Sequence, residues 1–328
     1  MVPVFYRYYN IVMWKRLFPS IHSHGFSGIY RQYATFPQCN LVRLDRVKHP
    51  LSNKVGYRSC THSQNPLSAH KKYTSDPSLR VRVIPMFQDN YGYLIIDEVN
   101  QVMFAVDPAE PARILPALNE EEALKKRKLL AILTTHKHAD HAGGNSELAA
   151  RYPHAMVVGP ANEHVPACTK RVKGGQTFSI GSIDIKVLDV PCHTRGHVAY
   201  VVTGDHATPP LLFPGDVLFV GGCGRFFEGS AEDMYHALYE VILQLPKDTR
   251  CYCGHDVDPS NTFLRDKMKA MKLRRSKNLP TVPSTLAEEM LFNPFLRVHT
   301  ETIRNAVGGS DPVTVLENLR RRKDNFDY

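Results

Sequence analysis

Between Thr135 and His141 the chain reads Thr-His-Lys-His-Ala-Asp-His, three imidazoles and a carboxylate packed into six consecutive residues. Just before them, 129–134 is Leu-Leu-Ala-Ile-Leu-Thr, an apolar run of the length and composition of an interior strand. The polar residues therefore emerge at the carboxyl end of that strand, the edge on which α/β folds keep their sites. In extended backbone alternate side chains project to the same side, so His136 and His138 can share one ion. Asp140 and His141 then enter the helix suggested by Gly143-Gly144-Asn145-Ser146-Glu147-Leu148, which turns them toward a second position. A run of unrelated surface histidines rarely takes this spacing behind a strand, so the segment points to a metal site.

Three further apolar runs end in a residue that can bind metal. The run 187–190 leads to His193, 211–213 to Asp216 and 251–253 to His255. With the opening cluster this gives seven ligand-type side chains on one edge: His136, His138, Asp140, His141, His193, Asp216 and His255. His197 and Asp205 are neighbouring competitors, but His197 begins a strand and reads as a packing or supporting residue.

From Leu79 onward strands and helices alternate. Strands are expected at 80–85, 91–96 and 102–106, a helix at 111–126, the strand into His136, a helix at 145–151 and a strand at 156–158. The runs 177–180 and 183–188 form a hairpin about Gly181-Ser182. Strands at 200–202 and 211–213, an amphipathic helix at 231–245 and a strand at 251–253 follow. Beyond them the pattern is all helical.

The 328 residues, 43% of them hydrophobic, suit a large soluble domain plus a smaller one. No run of 18 apolar residues is present, so no membrane span is expected. The net charge of +9 is unevenly placed: residues 1–75 hold eleven Lys or Arg and one acid, Asp45, leaving the remainder at −1. This basic leader, 1–78, resembles a mitochondrial transit peptide. The alternative is a disordered basic arm for nucleic acid or anionic lipid, but the near-neutral body offers nothing built for nucleic acid. Seven scattered cysteines do not make a secreted disulfide framework. Of these, Cys192 and Cys223 read as small buried residues.

Taken together, Thr-His-x-His-x-Asp-His, Pro191-Cys192-His193-Thr194-Arg195-Gly196-His197, Gly215-Asp216 and Gly254-His255 resemble the metallo-β-lactamase superfamily. More narrowly, the chain resembles the glyoxalase II (hydroxyacylglutathione hydrolase) family. That likeness rests on 222–229 (Gly-Cys-Gly-Arg-Phe-Phe-Glu-Gly), on Tyr252-Cys253-Gly254-His255, and on 280–289 (Pro-Thr-Val-Pro-Ser-Thr-Leu-Ala-Glu-Glu) followed by Asn293-Pro294-Phe295-Leu296-Arg297. The resemblance implies an αββα sandwich over 79–255 and a smaller helical substrate-binding domain over 256–328. It further implies two divalent metal ions, with zinc the first expectation and iron or manganese also tolerated by imidazole and carboxylate donors. By the family's pattern His136, His138 and His193 hold one ion, Asp140, His141 and His255 the other, and Asp216 bridges them.

The implied reaction is hydrolysis of S-(2-hydroxyacyl)glutathione thioesters, such as S-D-lactoylglutathione in methylglyoxal detoxification. A metal-bound hydroxide oriented by Asp140 attacks, and a thiolate leaves without a dedicated general acid. Arg225, Phe226, Phe227, Arg320 and Lys323 fall at the family's substrate positions; for Arg320 and Lys323 the competing reading is a basic helix end after an Asp311-Pro312 start. The expected partner is a small glutathione thioester, with no nucleic acid, and the chain is expected to be a monomer in the mitochondrial matrix or alternatively the cytoplasm. Two departures stand out. Phe227 replaces a usual tyrosine (Arg225, for a usual lysine, keeps the charge), and Gly254-His255 runs directly into Asp256-Val257-Asp258-Pro259-Ser260-Asn261, where the family carries a longer helical segment. They motivate a rival reading as a glutathione-conjugate binding protein with little turnover. A mononuclear-iron sulfur dioxygenase and a superfamily nuclease are two further rivals.

Overall fold

The computed structural model describes residues 79–204, 209–255, 273–277 and 279–325. The basic leader, Asp205 and the shortened segment after His255 lie outside the described residues. Strands β1 (Leu79–Met86), β2 (Asn90–Asp97) and β3 (Val102–Val106) pair antiparallel in succession. Helix α1 (Pro111–Lys125) then carries the chain over to β4 (Lys128–Leu133), which lies parallel to β3. Two short helices, α2 (Ala139–Ala142) and α3 (Asn145–Arg151), lead to β5 (Met156–Pro160) and β6 (Lys170–Val172), both parallel additions to the same six-stranded sheet.

The second sheet starts with the expected hairpin, β7 (Thr177–Ile180) and β8 (Ile183–Asp189), closed by the two residues Gly181-Ser182. It continues through β9 (Val198–Thr203) and β10 (Leu211–Phe213), and β11 (Arg250–Cys251) joins parallel to β10. Its far edge is β12 (Ser284–Thr285), antiparallel to β11.

Period-two alternation explains how the first sheet is covered on both faces. Leu94 and Ile96 of β2, Met103 and Ala105 of β3, and Leu129 and Ile132 of β4 form one core with Ile114, Ala117 and Leu118 of α1 and Leu148 of α3. In α1 the buried positions Ile114, Ala117, Leu118 and Glu121 follow the i, i+3, i+4, i+7 rule, so one helical stripe meets the sheet. Each Leu, Ile or Met side chain among them, taken fully out of water, contributes about 1.5–3 kcal/mol. Glu121, the polar end of that stripe, is held by Arg80 and Arg82 and by buried Arg127.

The other face of the first sheet meets the second sheet. The Tyr93 ring stands edge-on to Phe213 and Tyr252 at 5.2 and 5.4 Å, and its hydroxyl donates to the Cys253 carbonyl. The Tyr200 hydroxyl donates to the Thr134 carbonyl at 2.9 Å. The helix expected at 231–245 is wound in three ways, as α4 (Ala231–Tyr235) behind a Ser230/Asp233 capping box, a π segment (His236–Val241) and a 3₁₀ turn (Ile242–Gln244). Leu245 is already extended because it precedes Pro246. The wide π turn carries Tyr239, whose hydroxyl donates to the Phe295 carbonyl and accepts from the Val298 amide, both at 3.1 Å.

The carboxyl-terminal part holds α5 (Leu286–Phe292), α6 (Glu301–Val307) and α7 (Pro312–Asp324). It is not wholly helical, since β12 precedes α5 and extends the second sheet. Thr285 and Glu288 cap α5 reciprocally, and Asp311 caps α7 ahead of Pro312 as the sequence implied. Asn293 donates to the carbonyls of Phe219 and Gly222, while Glu289 accepts from the Gly221 amide, fastening this region to the loop after Asp216. No helix among the described residues is long and apolar enough to cross a membrane.

Candidate metal centre

All seven expected ligands meet at the carboxyl ends of β4 and β10 and in the loops beside them. His136 leaves β4 fully buried, and its Nε2 lies 3.1 Å from His138 Nδ1, which is 3.0 Å from His193 Nε2. Asp216, just beyond β10, faces both sides. Its Oδ1 is 3.1 Å from His141 Nε2, and its Oδ2 is 3.4 Å from His193 Nε2 and 3.3 Å from His255 Nε2. Asp140 Oδ2 stands 3.5 Å from His255 Nε2 and 3.9 Å from His141 Nε2. Three donor groups result, His136/His138/His193, His136/His141/Asp216 and Asp140/His141/His255, the donor atoms of each lying within 4.8 Å of one another. Two nitrogens bound at roughly 2.0–2.1 Å to one tetrahedral zinc stand about 3.3–3.4 Å apart, so the spacing suits shared cations.

The protons on these rings follow from their other partners. Thr135 donates its hydroxyl to Asp107 Oδ2 at 2.7 Å, so toward His136 Nδ1, 3.1 Å away, it can only accept. His136 Nδ1 therefore carries the proton and Nε2 offers its lone pair to the cluster. His141 Nδ1 donates to Asp107 Oδ2 and His193 Nδ1 to the Arg225 carbonyl, each at 3.0 Å, which fixes Nε2 as the free donor atom in both. His197 Nε2 accepts the Asp216 amide at 3.2 Å, so this histidine supports a ligand, as its place at the start of β9 suggested.

Two buried atoms in this cluster, His141 Nε2 and Asp216 Oδ1, lie 3.1 Å apart without forming a hydrogen bond of good geometry and have no other partner among the described residues. Buried polar atoms are seldom left so, and here both point at the same place. Glycine leaves the room they need, since a Cβ on Gly254 would come 2.6 Å from Asp216 Oδ1 and 2.8 Å from the His141 ring. The donor set and these orphaned atoms fit divalent cations.

The electrostatics divide the ligands. Burial, with His141 and His197 nearby, pushes His136 well below its ordinary range, and burial also lowers His193. Burial opposes charge on His141 too, but Asp216 and Asp107 raise it to about 10. Against the same penalty, hydrogen bonds that the His255 ring donates to Asp140, Asp216 and Asp89 lift it to about 12. Asp140, beside His255, is held well below the usual carboxylate range; Asp216 is too, despite its burial, by His141 and His255. A cation entering here takes the place of protons on His141 and His255.

Of the expected substrate residues, Phe227 stands beside His138 and His193, and the others follow from it outward or lie buried. Exposed Phe227 stands edge-on to these rings at 5.8 and 5.1 Å, with half-buried Phe226 next to it. The Arg225 guanidinium lies 5.7 Å over the Phe227 ring and its Nε is 3.1 Å from Asp324 Oδ1. Arg320 is buried, donating to the same Asp324 oxygen and to the Cys223 carbonyl at 3.2 Å. Lys323 Nζ lies 5.9 Å from the centre of the Phe295 ring. Cys192 and Cys223 are buried with thiols pushed up by burial, Cys223 to about 11, so neither is poised as a nucleophile.

Sequence reasoning missed Asp107, which binds His141 and Thr135 at once, and Asn90, whose amide reaches the Asp140 carbonyl and Oδ2 at 3.2 Å. Asp107 did leave a signal. It follows β3, the parallel neighbour of the ligand strand, as an Asp-Pro at the carboxyl edge where α/β folds keep their sites, and in the folded chain it takes a left-handed φ of 48°.

Two family models match the chain: the metallo-beta-lactamase superfamily over residues 106–255 and the hydroxyacylglutathione hydrolase C-terminus over 254–326. Over 260 residues, 76% of this chain, it is 44% identical to a hydroxyacylglutathione hydrolase-like protein of Gallus gallus, covering 90% of that protein. Over the same length it is 39% identical to the cytoplasmic hydroxyacylglutathione hydrolase of Arabidopsis thaliana, covering 99% of it. Among solved structures, ETHE1 from Myxococcus xanthus superposes with a TM-score of 0.53 at 26% identity, over 74% of this chain and 97% of that one. A metallo-beta-lactamase from Staphylococcus aureus shares the fold, with a TM-score of 0.53 at 23% identity over 74% of this chain and 66% of that one.

Proposed function

Because the chain belongs to the hydroxyacylglutathione hydrolase family of the metallo-β-lactamase superfamily, we propose that this metal-dependent hydrolase of glutathione thioesters acts on S-(2-hydroxyacyl)glutathiones. S-D-lactoylglutathione is the foremost candidate, and the products are glutathione and a 2-hydroxy acid. The observation that carries the reading is the convergence of two donor trios on either side of Asp216. His136, His138 and His193 would hold one cation, Asp140, His141 and His255 a second, and Asp216 would serve both. Zinc suits these donors best, with iron or manganese next.

Divalent cations bound there polarise a carbonyl oxygen and make water acidic enough to supply hydroxide near neutral pH. The chain's own residues supply position and charge. Asp140 keeps its carboxylate half-exposed while Asn90 donates to it, so it can accept a hydrogen bond from the attacking water and aim it at the thioester carbon. A thiol of pKa near about 8.5 departs as thiolate at modest cost, so no proton donor is required at the sulfur. Arg225 presents a planar fork for a carboxylate of the glutathione moiety, with Lys323 adding positive charge from α7, while buried Arg320, bound to Asp324 and the Cys223 carbonyl, supports the site from behind. Phe227 offers an apolar face beside His193 where a tyrosine would have added a hydroxyl.

The acid-poor leader supports delivery to the mitochondrial matrix, and the division at His255 supports a catalytic body over 79–255 and a substrate-binding region over 256–328. The test is metal content together with S-D-lactoylglutathione turnover in the purified protein. His138→Ala and Asp216→Ala should each lose bound metal and thioester cleavage. A metal-loaded wild-type protein that leaves thioesters intact would overturn the proposal.

A further inference from the structure

One buried carboxylate close to the ligands has no part in the hydrolytic scheme. Glu163 lies between β5 and β6 and is only 7% exposed. Its Oε2 accepts the Lys137 backbone N–H at 2.7 Å, and its Oε1 accepts the Gly196 backbone N–H at 2.9 Å. Lys137 sits between His136 and His138, and Gly196 follows His193 by three residues. One side chain therefore joins the ligand loop of the first sheet to the ligand loop of the second. The approach is close, for a Cβ on Gly196 would fall 2.4 Å from Glu163 Cγ.

Around the same loops, the Val198 amide donates to the Thr135 carbonyl at 3.0 Å. Toward solvent Glu228 repeats the pattern, pairing with Lys137 Nζ at 2.6 Å and accepting the Arg195 amide at 2.9 Å. The backbone bond and the two carboxylates thus bracket His136, His138 and His193. A carboxylate suits the buried position because both of its oxygens accept, and charge strengthens each bond. An amide has one accepting oxygen and would turn an N–H toward the second donor.

We infer that Glu163 is a positioning residue: by fixing the separation of the two loops it sets how His136, His138 and His193 converge, and so governs cation affinity at that trio. It acts far less on the Asp140/His141/His255 trio, because those residues come from α2 and from the segment after β11, which Glu163 does not contact directly; the link that remains is the His138 carbonyl, which accepts the His141 amide at 3.0 Å. The inference rests on the metal-centre reading of the site but not on the identity of the substrate.

The experiment uses the full chain freed of metal and measures Zn²⁺ affinity against a competing chelator in two backgrounds. His255→Ala isolates the His136/His138/His193 trio, and His193→Ala isolates the other. Adding Glu163→Ala should weaken Zn²⁺ binding about 10–100-fold in the first background, the usual cost of losing a partner that orients ligands. In the second it should change affinity by less than about threefold. Glu228→Ala, on an exposed pair, should have a smaller effect of the same selectivity. Glu163→Gln keeps the volume of the side chain and carries the test if the alanine variant does not fold. Unchanged affinity in the first background, or equal weakening in both, would overturn the inference. A wild-type protein without thioesterase activity would leave these affinities as they are and count against the substrate assignment alone.

Discussion

Strand β2 runs between two buried polar sites that treat their aspartates in opposite ways. At its far end Asp97 is fully enclosed, and every lone pair is used. Oδ1 accepts the amides of Val99 and Asn100 at 2.9 Å, and Oδ2 accepts Asn100 Nδ2, the Ser182 amide and the Ser182 hydroxyl at 2.7–2.9 Å. At the near end, where Asn90 reaches Asp140, buried Asp216 has one oxygen facing a His141 nitrogen 3.1 Å away, with no hydrogen bond formed between them or to any other described residue. A buried carboxylate satisfied by its own chain is a structural tie between two turns. One left partly unsatisfied, among converging imidazoles, is prepared for something the chain does not itself contain.

The contrast breaks most sharply on substitution. Asp216→Ala should reduce thioester turnover more than about a hundredfold, beyond the cost of losing a mere supporting partner, and strip metal, as read by elemental analysis. Asp97→Asn should retain full metal content and turnover per folded molecule. Equal damage to activity from both would erase the distinction.

A second effect concerns protons. His141 and His255, raised to about 10 and about 12, are charged at neutral pH without a cation, whereas metal needs their neutral rings. Adding Zn²⁺ to metal-free protein at pH 7 in weak buffer should release about two protons, and apparent affinity should climb as pH rises toward 10. Indicator-dye measurement of proton release checks it; release near zero would show that these rings are already neutral in the metal-free protein.

Asp97 has the opposite sign and a smaller size. Although burial alone would raise its pKa, its five donors hold it at about 2, below the ordinary 3.8. It therefore contributes about 2 kcal/mol above pH ~4, and that contribution is lost as pH falls toward 2. Denaturant melts of the wild type and Asp97→Asn across pH 2–6 should show the stability gap closing at the acid end. The smallest change expected is at the rim: Phe227→Tyr should lower KM a few-fold with kcat little altered, because the hydroxyl adds at most one exposed hydrogen bond worth roughly 0.5–1.5 kcal/mol.

What the sequence disclosed of all this was what lies close together in the chain or repeats with a clear period. The Thr-His-x-His-x-Asp-His run, the apolar strands behind His193, Asp216 and His255, the hairpin at Gly181-Ser182 and the Asp311-Pro312 helix start all have local signatures. Strands β6 and β12 did not, being three and two residues long and defined by the neighbour they pair with. Asp107, Asn90 and Glu163 escaped because these partners lie 26 to 50 residues away, so only the folded chain shows what they hold. The helix expected at 231–245 kept its direction but not its winding, for no period in the sequence marks a π turn. Arg320, expected at the substrate, has its guanidinium bound to Asp324 and Cys223, a burial that periodicity alone did not disclose.

The bond between His193 Nδ1 and residue 225 is made to a main-chain carbonyl, not to the guanidinium. Every amino acid carries that oxygen, so the imidazole's orientation is indifferent to which side chain stands there. A lineage can exchange lysine for arginine at this position while the imidazole behind it stays aligned.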